Sequence, residues 1–153
     1  MVYRADYLFF VTILPKNWSL KTESAIFKNL QTAIALTQAL RSRQIKISID
    51  DFGTGYSSLS YLTQFPADTL KIDRAFIQAM TASPKDKEVV KAVIGLGHAL
   101  DLDVLAEGIE TLMQYQSLRQ MGCLYGQGYY FSKPLTADQM MAYLRSPLMQ
   151  SHG

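Results

Sequence analysis

Asp50, Asp51, Lys71, Asp73, Glu107 and Gln127 fall at or near inferred strand ends, where charged residues are hard to explain as core and easy to explain as a site. Asp50 and Asp51 are adjacent carboxylates. Their oxygens match a hard cation such as magnesium or manganese, and two negative charges so close call for a counter-charge. Consecutive strand residues point to opposite faces, so both can serve one cation only where the strand already curls into its loop, a freedom that Gly53 and Gly55 allow. The alternative, in which Asp50 caps the turn and Asp51 is simply solvated, stays open.

Lys71 and Asp73 flank Ile72 and project to the same side of a strand. A lysine beside carboxylates can hold a water or a phosphate oxygen; a plain salt bridge is the competing reading. Glu107 precedes Gly108 and could coordinate a metal or take a proton from water. Its alternative is a helix cap, a role for which Glu110 is better placed. Gln127 could orient a nucleotide or a nearby lysine, or be a structural amide. Weaker candidates have ordinary explanations. His98 lies inside a helix and His152 in a terminal tail. Cys123 reads as a small buried residue, and Met113, Met121, Met140 and Met141 as core filler. Tyr125, Tyr129, Tyr130 and Phe131 could stack on a base but read first as strand packing.

The elements that must position these groups alternate between helix and strand. Helical spacing of Ile26, Phe27, Leu30, Ile34, Leu36 and Leu40 predicts a helix over 23–43. Strands are predicted at 45–49, 69–72, 104–106 and 126–131, and short helices at 57–64 and 74–80. Ser83 followed by Pro84 predicts a helix start, with the helix running to Ala99 or Leu100. A helix over 111–121 stops at Gly122, and Thr136 with Gln139 forms a capping box for a last helix through Leu144. Such a βαβα series predicts a parallel sheet, in which chemistry gathers at the C-terminal ends of the strands.

Composition sets the bounds. The 153 residues are 48% hydrophobic and 18% charged, which suits one globular domain. A net charge of +2 is too small to imply a nucleic acid polymer or an anionic membrane as partner. One cysteine excludes an internal disulfide and suits a cytoplasmic protein. The apolar run Tyr7–Leu14 falls well short of the roughly 20 residues of a membrane helix and reads as a buried strand.

Asp50-Asp51-Phe52-Gly53-Thr54-Gly55-Tyr56-Ser57-Ser58-Leu59-Ser60-Tyr61-Leu62 resembles the signature of the EAL domain family. Leu70–Ile77, Ala106–Thr111 and Gly126–Leu135 resemble its later blocks, in the same order and spacing. The resemblance covers about Thr22 to Leu144. It implies an α/β fold, a TIM-type (β/α) barrel, that hydrolyses cyclic di-GMP to pGpG with magnesium or manganese. In that family two metals polarise the phosphate and generate the attacking hydroxide. By similarity, Asp50, Asp51 and Asp73 belong to the metal site. Lys71 contacts the catalytic water, Glu107 binds metal or acts as general base, and Glu110 and Gln127 support the site. Thr54 and Gly55 lie in the loop that couples metal binding to dimerisation, and Glu23 braces that loop.

The departures shape the expectation. A closed (β/α)8 barrel takes about 250 residues and at least 200. No Glu-Ala-Leu tripeptide occurs, the asparagine-bearing strand that follows it in the family has no counterpart, and Leu20 stands where the family has a carboxylate. The expectation is therefore an unmatched segment over 1–19, a partial EAL domain over 20–146 and a tail over 147–153. Its barrel is incomplete, its hydrolysis impaired, and its open edges are covered in a homo-oligomer. The rival expectations are an active enzyme completed by another chain and a non-catalytic nucleotide-binding or protein-interaction module.

Overall fold

The computed structural model describes residues 30–52 and 59–144. The predicted strand at 7–14, the N-terminal part of the first predicted helix, Glu23, Thr54, Gly55 and the tail 147–153 lie outside those residues. The elements in chain order are α1 (Leu30–Arg41), β1 (Ser48–Phe52), α2 (Leu59–Leu62), β2 (Thr69–Ile72), α3 (Arg74–Ala79), α4 (Pro84–Ala99), β3 (Asp103–Glu107), α5 (Leu112–Gln120), β4 (Tyr125–Gln127) and α6 (Ala137–Leu144). The four strands are parallel and lie side by side in chain order, β1-β2-β3-β4. Sequential parallel strands joined by helices form the wall of a (β/α) barrel.

The register explains which face is core. Leu70 stands opposite Val104, and Ile72 opposite Ala106. Alternate strand residues share a face, so these four form one apolar surface. All are at most 2% exposed. Ile72, Val104 and Ala106 join Ile77 of α3, Val90 and Ile94 of α4 and Leu118 of α5 in one cluster. Each large aliphatic side chain so buried contributes about 1.5–3 kcal/mol. A second cluster, Phe52, Leu62, Ala67, Leu70 and Leu102, packs on the β1 side. Below the sheet, the Asp68 carboxylate accepts hydrogen bonds from Arg41, Lys46 and the Ile47 amide, tying α1 and the entry to β1 beneath β2. The opposite face carries Lys71 across from Leu105, and Glu107 across from Gln127.

Several boundaries differ from the sequence reading. The first strand runs from Ser48 to Phe52 rather than over 45–49. The Ile47 amide goes to the Asp68 carboxylate instead of the ladder, at 2.9 Å, so the aspartates lie within the strand rather than after it. β4 stops at Gln127 rather than at Phe131. Beyond it the Tyr130 amide donates to the Ile109 carbonyl and the Phe131 amide to the Gly128 carbonyl, which folds the aromatic stretch into a turn. Tyr130 then stacks on Tyr115, with ring centres 5.5 Å apart, and Phe131 meets both rings edge-on. Met113 and Met141 are 64% and 50% exposed, not core. On α5 the buried face carries Gln114 and Leu118, one turn apart, and Met113 is rotated away from it. Ser83 and Pro84 do start α4, and Thr136 and Gln139 do cap α6. No described helix is long and apolar enough to cross a membrane.

Candidate functional site

The two aspartates reach the polar face through a break in strand regularity. Ile49 pairs with Leu70 and Phe52 with Ile72, which leaves both Asp50 and Asp51 across from Lys71. This is a β-bulge, with two residues opposing one. Asp51 adopts φ +52°, a left-handed conformation that costs most residues roughly 1–2 kcal/mol but that aspartate tolerates. The Asp51 amide donates to Asp50 Oδ1 at 3.1 Å. Asp51 itself carries a curl at this point; Gly53 and Gly55, of which a curl was expected, lie outside the described residues.

Lys71 is the hub. Its Nζ lies 2.9 Å from Asp50 Oδ1 and 2.5 Å from Glu107 Oε1. Gln127 Nε2 donates to the same Glu107 oxygen at 2.9 Å. Parallel register brings these groups together: Lys71 faces the Asp50–Asp51 bulge of β1, and Gln127 stands opposite Glu107. Glu107 lies two residues beyond Leu105, the partner of Lys71 on β3, so the long lysine side chain spans the step to the carboxylate. Asp73 does not project beside Lys71 as a strand residue. The strand ends at Ile72, and the Asp73 carboxylate caps α3 by accepting from the Ala75 amide at 2.7 Å. Glu110 is not a helix cap either. It pairs with Arg74 at 2.6 Å, while Thr111 takes the N-cap of α5.

Burial and charge oppose each other here. Burial would lower the Lys71 ammonium, but its hydrogen bonds and charge attraction to Asp50 and Glu107 prevail, so its pKa lies above the ordinary lysine value. Burial pushes the Glu107 carboxyl up against the downward pull of Lys71, and the Asp50 and Asp51 charges add to the rise. An ammonium has three donors. Among the described residues two are directed at carboxylates, which leaves one for a water or phosphate oxygen.

The donor chemistry of Asp50, Asp51 and Glu107 suits a hard cation, but their arrangement does not complete a cage. Among the described residues no group of three or more acidic, histidine or cysteine side chains is placed to hold one, and the Lys71 ammonium sits between Asp50 and Glu107. A cleft of about 480 Å³ opens beside the hub, lined by Arg74, Glu107, Glu110, Gln127, Tyr129 and Lys133 among others.

Sequence reasoning passed over two residues that build this mouth. Arg74 lies along Gly108, whose φ of +72° and missing Cβ make room for it, and it pairs with Glu110. Gln114 completes a capping box with Thr111. The Thr111-x-x-Gln114 spacing is a legible signature of that box, whereas nothing in the sequence pairs Arg74 with Glu110. Cys123 is buried as expected. Its thiol contacts the Val104 and Tyr125 carbonyls, and burial pushes its pKa up to about 11. His98 is exposed.

Residues 20–134 match the EAL domain family. The cyclic di-GMP phosphodiesterase NbdA of Pseudomonas aeruginosa is 46% identical over 125 residues, a stretch of 82% of this chain and 16% of that protein. Among solved structures, the phosphodiesterase PaMucR in complex with c-di-GMP is 41% identical at a TM-score of 0.71, over 77% of this chain and 48% of that one. BlrP1 of Klebsiella pneumoniae, solved with manganese and cyclic di-GMP, is 35% identical at a TM-score of 0.65, over 73% of this chain and 29% of that one. The chain spans between 15% and 18% of the length of the curated relatives it matches. Across the match to the family and the shared four-stranded parallel sheet, one conclusion holds: the chain belongs to the EAL domain family, of which it carries part of the domain.

Proposed function

We propose that this chain is the cyclic di-GMP-handling C-terminal part of an EAL domain, and that by itself it hydrolyses cyclic di-GMP poorly. The observation that carries the reading is the Lys71 ammonium held between Asp50 and Glu107, with Gln127 on Glu107, at the C-terminal mouth of the sheet. In this reading Lys71 presents a water or a phosphate oxygen. Glu107, whose carboxyl burial holds above its ordinary range, is the proton acceptor or a metal ligand. Asp50, Asp51 and Asp73 face the magnesium or manganese that the family uses, Gln127 and Glu110 support the mouth, and Glu23, Thr54 and Gly55 keep their family roles. Hydrolysis is weak because the Glu-Ala-Leu glutamate has no counterpart and Leu20 replaces a carboxylate; catalytic groups must be placed within about 0.5 Å. The unit so proposed is residues 20–146, working in a reducing cytoplasm.

Among the described residues β1 pairs only with β2, and β4 only with β3. That favours a second reading, in which another chain, a second copy included, covers the open edges and completes the site. One preparation tests both. Purified chain is incubated with cyclic di-GMP and manganese, pGpG is followed, and mass is read by light scattering. The expected result is no measurable pGpG and a mass above that of one chain. Turnover by the chain alone that Asp51→Ala abolishes would overturn the impairment, and a well-folded monomer at micromolar concentration would overturn the edge-covering partner.

A further inference from the structure

The end of β3 at Glu107 and the four residues Gly108 to Thr111 that join it to α5 carry two of the candidate site carboxylates, Glu107 and Glu110. This loop is anchored on several sides. The Ile109 amide donates to the Gln127 carbonyl at 3.0 Å, the Tyr130 amide donates to the Ile109 carbonyl at 2.9 Å, and the Ile109 side chain is 2% exposed. Gln114 supplies the link that reaches furthest. It is 5% exposed, and its Oε1 accepts from the Glu110 amide at 2.8 Å and from the Thr111 amide at 3.0 Å. Its Nε2 donates to the Ile77 carbonyl in α3 at 3.2 Å. A capping glutamine needs only the N-cap amide and can sit at the surface. Gln114 instead buries its amide and divides it between two elements, and a buried amide is costly unless every partner is in place.

We infer that Gln114 is a positioning residue, setting the Glu107–Glu110 loop against α3 and thereby Glu107 against Lys71 and Gln127. Its functional consequence rests on the nucleotide reading of the cleft; its structural content does not. α3 begins at Arg74, directly after the Asp73 cap, and Arg74 holds Glu110 from the other side. The loop is thus gripped at its backbone by Gln114 and at its side chain by Arg74.

The test uses the whole chain with Gln114→Met, which keeps bulk but loses every hydrogen bond, and Gln114→Glu, which keeps the acceptors and loses the donor to Ile77. Amide hydrogen exchange and the Gln127 side-chain amide signal are read by NMR, and cyclic di-GMP with manganese is titrated. In Gln114→Met the Glu110 and Thr111 amides are expected to exchange about tenfold faster while Ile94 and Leu105 keep their rates. The Gln127 side-chain signal is expected to shift, and cyclic di-GMP to bind about tenfold more weakly. Gln114→Glu should restore protection of Glu110 and Thr111. Uniform acceleration across the core, or an unmoved Gln127 signal, would overturn the inference. A native chain that binds no cyclic di-GMP would instead sink the nucleotide reading, while the exchange rates still decide the role of Gln114.

Discussion

The two sides of the mouth are built differently. On the β3–β4 side, Glu107 and Gln127 sit on strands whose register is unbroken, and the loop between β3 and α5 is fastened to β4, α3 and α5. On the β1 side, Asp50 and Asp51 occupy a bulge with a left-handed residue, and the Asp50 side chain is 46% exposed against 17% for Glu107. Both sides meet at one ammonium. One carboxylate is thus enclosed by covered, hydrogen-bonded backbone, while the other stands at a bulged, partly solvated edge.

The sharpest way to break this comparison is at Gly128. A Cβ there would collide with the Ile109 backbone, which has no room to yield. Gly128→Ala is expected to cost about 3–4 kcal/mol in urea unfolding, since overlap with fixed backbone is among the large mutational effects. A loss near zero would mean that the β3–β4 side is looser than described.

Alkaline pH probes the same side through Cys123. Its thiol is raised from 9.0 to about 11 by burial, so the folded chain holds that proton more firmly than the unfolded chain. The stability so contributed is present below pH 9 and is lost as pH rises through about 11. The difference between the native chain and Cys123→Ala is expected to shift by about 2–3 kcal/mol across that window, at 1.36 kcal/mol per pH unit. A flat difference would place the thiol in contact with water.

The smallest effect belongs to the β1 side. Asp51→Gly removes the left-handed penalty together with the interactions of the carboxylate and adds chain entropy on unfolding, so these terms oppose one another and the expected net change is within about 0.5 kcal/mol of zero. A clear loss would show that the Asp51 carboxylate anchors the bulge, which would make the two sides more alike than they are.

Much of this was legible in the sequence. The capping pairs Ser83–Pro84 and Thr136–Gln139 announced their helices, because caps are local chemistry. β2 is where apolar spacing put it, over 69–72. β3 ends at Glu107, as read, but the ends of β1 and β4 were not legible. Ile45–Ile49 has the composition of a strand, but the Asp68 carboxylate, 21 residues from Ile47, claims its amide. The aromatic stretch after Gln127 has high β-propensity, yet its amides turn toward Gly128 and Ile109. Such partners are tertiary, and propensity yields to them.

The site divides along the same line. By itself the order of residues determined which groups meet at the mouth, since parallel strands of known polarity put Asp50, Lys71, Glu107 and Gln127 at or near the C-terminal ends of neighbouring strands. Only the folded chain decided how they meet. Asp73 turned into a helix cap, Glu110 found Arg74, and Lys71 came to rest between two carboxylates. The physical reason is that strand polarity and alternation are written in the local chain, whereas a bulge, a shared ammonium and a buried amide exist only once distant backbones have packed against one another.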